Sequence, residues 1–563
     1  MCGIWAYIQL TLTQPNYHKL YKDFMALKPR GPDMSSFQTI KNLTVGFHRL
    51  AIMDPTFHAN QPYIIEDGER TIVFICNGEI YNFKDLIRDH QLPITTNADC
   101  LTIPRLYIKY VKNNPDGRTH LSQFSQLFTH DVKGEYAFIL FEFDKLQNLK
   151  QVVAGRDQLG VRPLYWHQPH GTSNAIIFSS EMKGMCHFED QVDEFPPGTI
   201  AEVNFDNLGT ITSTDTYNFK VIYNITPNSI ESAFSEDEYL RNVRNAVINS
   251  VKRRLTSDKP ISFLLSGGLD SSLVTAISAK LLGVHINTYC CGMNEGTDLI
   301  FARKVAKHIG SHHTEVFFTP EEGCDAIRDV IRTIESYDTT SVRASIPQYL
   351  VSKYIGTKTD CKVLCTGEGS DELTSGYIFN YYAPSGQALH DCSVEYMQNI
   401  HMYDGRRCDR CVAHWSLEAR IPLLDPEVVT AYWAIPSEYR MPTYKNCEKW
   451  WLRQAFEGTD ILPSEVLWRR KEAFSDGVSG ERSWFQIIQD YIDTQVSDVE
   501  FRTENKWGCV TKESYYYKRI FVEYFGEKRL SILPGYWLPK WTIGGQKVTQ
   551  YMDPSARVLS VYK

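Results

Sequence analysis

The chain has 563 residues, 43% of them hydrophobic and 22% charged, with a formal net charge of −8 at pH 7. That length exceeds a single core and points to roughly two to four domains of ordinary globular composition. The acidic balance argues against a nucleic-acid binder, no apolar stretch reaches the length of a membrane span, and the first residues lack the charged start and long apolar core of a leader.

Predicted elements over the first 200 residues are mostly short strands. Apolar or alternating runs recur at 44–47, 71–76, 136–143, 151–154 and 175–179, separated by polar, glycine or proline punctuation. Helical patterns cover 17–27 and 83–90. Many short strands predict stacked antiparallel sheets. Residues 206–234 are rich in Thr, Asn and Ser without sustained periodicity and read as a linker. Ser235 with Glu238 then matches a capping box, followed by one helical face of Leu240, Val243, Val247, Val251 and Leu255.

Beyond this helix the pattern changes. A buried-type strand at 261–265 leads through a glycine loop into a helix ending near Leu282. Strands at 286–291, 315–318 and 362–365 alternate with helices at 298–309 and 321–335. That alternation predicts a parallel sheet covered on both faces. After about residue 375 the chain reads as mainly helical. The expected division is therefore 1–205, a linker at 206–234, and 235–563.

Fourteen cysteines in so long a chain do not make a disulfide scaffold, so reduced thiols and a cytoplasmic setting are expected. Cys408 and Cys411 have metal-like spacing, with His414 following, but no second C-x-x-C exists to complete a zinc site. Two incidental thiols on one helix is the simpler reading.

Two constellations carry chemistry. In the first half, Cys2 follows Met1 directly. Removal of Met1 would leave a thiol and a free α-amine on one residue, a nucleophile with its own base. Asn77 and the Gly78 N–H can donate to a tetrahedral oxyanion. Arg49 suits a substrate carboxylate as a bidentate clamp, and Glu79 and Asp99 suit an ammonium. Taken singly, each of these is more simply a turn or a solvated charge. Together with Arg30-Gly31-Pro32-Asp33, residues 77–82 and residues 155–165, they resemble the glutaminase domain of class II glutamine amidotransferases. The resemblance implies an α+β N-terminal nucleophile hydrolase sandwich. It also implies that Cys2 attacks glutamine and releases ammonia, with Arg49, Asn77, Gly78, Glu79 and Asp99 binding that substrate. One departure is Pro29, where the family often has His.

In the second half, Ser266-Gly267-Gly268-Leu269-Asp270-Ser271-Ser272 joins a predicted strand to a predicted helix. Glycines permit close approach of a phosphate, and hydroxyls with helix N–H groups bind its oxygens. Asp270 is placed to hold a divalent cation there, and Asp371, in Gly367-Glu368-Gly369-Ser370-Asp371-Glu372, is the expected second ligand. Lys471 can stabilise charge building on an α-phosphate. The seven-residue loop resembles the pyrophosphate loop of ATP pyrophosphatases.

With residues 334–345, 418–425, 511–517 and 553–557, the resemblance narrows to the glutamine-hydrolysing asparagine synthetases over nearly the whole chain. It implies ATP with Mg²⁺, aspartate as the acid that is adenylated, and a water-poor passage for ammonia between the domains. It implies catalytic roles for Glu368 and Lys471. ATP would be bound by residues 265–268 and 270–272 together with Gly292, Met293, Gly367 and Glu368, and aspartate by Glu372, Asp404 and Arg407. A homodimer is also implied. Departures are the charged string Arg406–Arg410 and Ser416, where Gly is common. Two alternatives stay open: a related synthetase acting on another carboxylic acid, and an inactive regulatory homologue.

Overall fold

The structure is a computed structural model that describes residues 1–541 except 12–14, 112–120, 168–173, 208, 221–233, 284, 295, 472–476, 480–481 and 534. The string 553–557 and residues 472–476, which follow Lys471, lie outside the described residues. The chain forms two units, Met1–Val221 with Thr256–Lys259, and Ile222–Leu255 with Pro260–Lys563.

Unit 1 stacks two six-stranded antiparallel sheets. One runs Asp193–Glu194, Tyr165–Trp166, Ala175–Ser179, Gly3–Gln9, Leu43–Arg49, Met34–Ile40. The other runs Ile211–Asn218, Thr199–Phe205, Leu149–Arg156, Gly134–Asp144, Arg70–Ile80, Tyr63–Asp67. Side chains alternate across a strand, so Ile4, Ala6, Ile8, Val45 and Phe47 of the first sheet meet Val73, Ile75, Ile139 and Phe141 of the second in one dry core. Each predicted strand is found, four of the five extended by three to five residues.

The linker reading needs correction. Ile211–Asn218 is an edge strand whose residues 199–204 partners run in continuous antiparallel register. Its sequence, ITSTDTYN, shows no apolar face because it is nearly half exposed; backbone pairing and threonine's branched Cβ hold it instead. Helices Thr102–Tyr110 and Leu121–His130 were also not legible as such.

Unit 2 opens with helix Glu236–Arg253. Ser235 and Glu238 cap it reciprocally as expected, and Val243, Val247 and Val251 are buried. A five-stranded parallel sheet follows, in the order His312–Phe317, Asn287–Gly292, Ile261–Leu264, Val363–Cys365, Glu418–Arg420. The chain winds outward from Ile261–Leu264 on one side, then returns to build the other. This reversal creates a crevice at the carboxyl ends of Ile261–Leu264 and Val363–Cys365, the position where open α/β sheets bind ligands. The helix expected at 321–335 divides at Ala326 into Pro320–Asp325 and Ile327–Ile334. Among the described residues no helix is long and apolar enough to cross a membrane.

Candidate functional sites

In unit 1 the sequence-predicted residues stand at the ends of central strands. Cys2 immediately precedes strand Gly3–Gln9, whose Gly3 pairs with His48, and its thiol lies 3.8 Å from the Leu50 carbonyl. Arg49 closes the neighbouring strand. Asn77, Gly78 and Glu79 form the end of Arg70–Ile80, and Asp99 accepts the Ile80 N–H at 2.7 Å. The Arg30–Asp33 turn braces this end. A Cβ on Gly31 would lie 2.3 Å from the His48 carbonyl, so only glycine lets the turn approach. Asp33 accepts the Ala51 N–H at 2.8 Å, and Arg30 donates to the Cys2 carbonyl at 2.9 Å. Pro29 sits in the first turn of a short 3₁₀ helix, Lys28–Arg30, where a missing N–H costs nothing.

Asn77 is fully buried, and neither its Nδ2 nor its Oδ1 has a hydrogen-bond partner. An unsatisfied buried amide costs about 1–3 kcal/mol, so proteins rarely keep one without a use. Arg49 differs from expectation. Its Nη1 donates to the Thr56 carbonyl (2.7 Å) and Asn60 Oδ1 (2.6 Å), and its Nη2 to the carbonyls of Met53 and Asp54. As it stands, the guanidinium is occupied in holding the 53–60 loop and presents no free bidentate edge. Met1 is buried, with its sulfur facing Arg30 (3.6 Å) and Arg162 (2.6 Å), and the Cys2 nitrogen is in peptide linkage to it.

The long matched string at 155–165 is architectural. Buried Asp157 accepts backbone N–H groups of Leu159, Val161 and Arg162, while Arg156 donates to the carbonyls of Gly160, Arg162 and Phe195.

In unit 2 the crevice is a cavity of about 310 Å³. The loop 265–268 follows strand Ile261–Leu264 and opens helix Leu269–Leu282. Gly267 has φ 73°, and a Cβ there would lie 2.4 Å from the Ala302 nitrogen. Ser266 Oγ and Ser271 Oγ are 3.0 Å apart across the loop. A Cβ on Gly367 would fall 2.4 Å from the Ser271 nitrogen, so the acidic loop lies directly against the glycine loop. Ser266, Gly268, Asp270, Ser271, Gly367, Glu368, Asp371, Glu372, Asp404, Arg407 and Lys471 all line the cavity. Leu265, Gly267, Ser272, Gly292 and Met293 do not. Leu265 is core, its N–H bonded to the Tyr289 carbonyl, and Met293 donates to the Val478 carbonyl at 2.7 Å. Ser272 is buried with an unpartnered hydroxyl beneath the loop.

The side chains fall into two linked groups. Arg407 holds Glu368 bidentately (3.0 and 2.6 Å) and Asp404 (2.5 Å), and donates to Gln348 (2.9 Å). Burial raises the Glu368 carboxyl above its ordinary value although Arg407 opposes this. Glu372 accepts from the Tyr377 hydroxyl. Burial, and next the charges of Asp404 and Asp371, push Glu372 well above the usual carboxylate range. Asp371 goes the other way. Burial alone would raise it, but Lys449 at 2.6 Å and Lys471 at 2.5 Å hold it far below. Lys449 also reaches Asp270 at 2.5 Å. Sequence reasoning missed Lys449; the only signal was its place in the run Glu448-Lys449-Trp450-Trp451-Leu452-Arg453.

The unusual charges after Asp404 are mostly structural. Arg406 donates to the Glu335 carbonyl at 3.0 Å, and Arg410 faces the Glu335 carboxylate; both are buried. Cys408 and Cys411 lie on the same helix, Asp404–Ala413, against Thr366 and the Ser345 carbonyl. Ser416 has φ 59°, a left-handed conformation that glycine adopts without strain.

For a divalent cation, the donor set fits. Asp270 and Asp371 are hard oxygen ligands beside the glycine loop, and Asp270 Oδ1 is buried without a partner.

Comparison with known proteins covers the whole chain. A glutamine amidotransferase domain model matches residues 1–239, and an asparagine synthase model matches 242–391 and 383–542. The glutamine-hydrolyzing asparagine synthetase of Gallus gallus is 38% identical over 590 residues, covering 100% of this chain and 99% of that protein. The human one is 36% identical over 595 residues, with the same coverage. Among solved structures, a glutamine phosphoribosylpyrophosphate amidotransferase from B. subtilis aligns with 57% of this chain and 91% of its own, at TM-score 0.32 and 12% identity.

Proposed function

The chain belongs to the glutamine-hydrolysing asparagine synthetase family, and on that premise we propose that it makes asparagine from aspartate, ATP and glutamine. The observation that carries this reading is the unit 2 cavity in which the glycine loop, the acidic loop and Lys471 converge.

In unit 1, removal of Met1 frees the Cys2 α-amine. The Cys2 thiol then adds to the glutamine amide carbon, its proton passing by way of the amine to the departing ammonia. Asn77 Nδ2 and the Gly78 N–H receive the oxyanion. The unpartnered state of Asn77 supports this role, because a donor without a ground-state partner needs no reorganisation in the transition state. Water then cleaves the glutamyl thioester to glutamate. Glu79 and Asp99 meet the substrate ammonium. Arg49 serves by fixing the 53–60 loop, and binds the substrate carboxylate only by exchanging its present loop contacts.

In unit 2, the Ser266–Ser271 loop holds the ATP phosphates. Mg²⁺ bound with the nucleotide would be held by Asp270 and Asp371 and would neutralise charge on the leaving pyrophosphate. The aspartate β-carboxylate attacks the α-phosphorus, pyrophosphate leaves, and Lys471 stabilises the charge between them. Glu372 and Asp404 suit the aspartate α-ammonium, and Arg407 its α-carboxylate. Neutral ammonia then adds to the β-acyl carbon and AMP departs. The family resemblance also supports a cytoplasmic homodimer with small-molecule substrates alone.

The test is product identification with amide-labelled glutamine, aspartate, ATP and Mg²⁺. Labelled asparagine and AMP are expected; another amide would establish the alternative acid, and no pyrophosphate release would establish the inactive homologue. Cys2→Ala is expected to abolish glutamine-dependent synthesis and retain ammonia-dependent synthesis. Loss of both would give Cys2 a structural role instead.

A further inference from the structure

We propose that Lys449 is a positioning residue for the nucleotide, a built-in cation that keeps Asp270 and Asp371 at a fixed spacing until a metal-bound nucleotide arrives. The inference rests on the reading that these two carboxylates serve ATP. Lys449 Nζ lies 2.5 Å from Asp270 Oδ2, 2.6 Å from Asp371 Oδ1 and 3.5 Å from Ser370 Oγ. It thereby ties the glycine loop, which leaves one central strand, to the acidic loop, which leaves its neighbour.

Three features show what it takes to place an ammonium there. Its side chain is only 2% exposed, so the charge has left water. Its backbone sits at φ 58°, in the left-handed region that a lysine seldom adopts. The chain opposite is glycine, and a Cβ on Gly376 would lie 2.2 Å from Lys449 Cε and 2.3 Å from Asp371 Oδ1, displacing this pair from its present geometry. Nearby Arg453 divides its donors between the carbonyls of Glu448 and Leu467 and the Glu448 carboxylate. Lys449 serves two carboxylates and one hydroxyl instead.

Lys471 differs. It meets Asp371 at 2.5 Å and is 20% exposed where it lines the cavity, within reach of a substrate. The two lysines therefore divide the work: Lys471, the more exposed, faces the reacting phosphate, and Lys449, nearly sealed in the cavity wall, spaces the carboxylates. Without the Lys449 ammonium, Asp270 and Asp371 would repel each other or capture a free cation before nucleotide binds.

The test uses Lys449→Met, Lys449→Gln and Lys449→Arg in the full chain. Mn²⁺ binding without nucleotide, read by electron paramagnetic resonance, is expected to show one added site per chain in the Met and Gln variants. That site should vanish when Asp371→Asn is added. Aspartate-dependent ATP–pyrophosphate exchange is expected to show a KM for ATP raised tenfold or more, against a kcat lowered less. Lys449→Arg should keep KM within threefold of the parent, and glutaminase activity should stay within twofold throughout. If Met and Gln gain no Mn²⁺ site and leave KM unchanged, Lys449 does not space the carboxylates. Equal loss in the Arg variant would assign the effect to shape rather than charge and would also overturn the proposal. Should the Met variant fail to fold, the Gln variant carries both measurements. Absence of exchange in the parent protein would instead refute the synthetase reading itself, leaving the nucleotide-free Mn²⁺ result to decide the spacing role.

Discussion

Asn77→Leu separates function from stability at one buried position. The side chain is fully buried, and both ends of its amide lack partners. Each unsatisfied group costs about 1–3 kcal/mol, and a near-isosteric apolar replacement costs less than about 1.5 kcal/mol in packing. The balance favours a variant unit 1 that is more stable by about 1–2 kcal/mol, equivalent to a rise of roughly 2–8 °C in its Tm. Activity should move the other way. Losing one preorganised oxyanion donor lowers kcat by about 10²–10³-fold, or roughly 2.7–4 kcal/mol. Thermal unfolding by calorimetry and glutamate release together read both quantities, and ammonia-dependent synthesis serves as the internal control. A less stable variant that keeps glutaminase activity within tenfold would mean that ordered water satisfies Asn77 and that the amide is structural.

Gly267→Ala places a Cβ against the backbone of Phe301 and Ala302 at φ 73°, where nothing flexible can yield. ATP binding should weaken at least tenfold with a loss of about 1–3 kcal/mol in unit 2, while glutamate release is unchanged; calorimetric titration of ATP decides it. Glu372 carries a raised pKa in the free protein, so binding an ammonium beside it must release a proton. The KM for aspartate is therefore expected to fall as pH rises above the ordinary carboxylate range, and Glu372→Gln should flatten that slope while raising KM. His48 is buried against Phe24, rings stacked at 3.9 Å, and burial lowers its pKa to about 4. It binds a proton more readily unfolded than folded, so it contributes stability above about pH 6.5 that is lost progressively as pH falls toward 4. His48→Gln should remove that part of the acid slope in unit 1; an unchanged slope would show that His48 is not its source.

Elements with strong periodicity were legible because their pattern is their packing. Val243, Val247 and Val251 line one helix face in sequence and in the structure alike. Within the run 71–76, residues 72–76 are all apolar because strand Arg70–Ile80 is buried on both sides there. Where burial is one-sided or absent the signal fades, as in the edge strand Ile211–Asn218, whose partner supplies hydrogen bonds but little apolar contact.

The chemical loops followed the same division. Ser266–Asp270 and Gly367–Glu372 announced themselves because a phosphate site demands glycine, hydroxyl and carboxylate at close sequence spacing. Short-range chemistry of that kind is written along the chain. Its partners are not. Lys449 stands 78 residues after Asp371 and 179 after Asp270 in the numbering, with neither motif nor periodicity to mark it. Arg49 looked free to clamp a substrate, yet four loop oxygens already hold it. Asn77 was legible as a candidate oxyanion donor, but not that its amide would be fully buried and unpaired. Which charge neutralises which, and which polar group is left without a partner, depends on chain segments that meet only after folding; hydrogen bonds and Coulomb forces act across a few ångströms of space, whatever the distance along the chain.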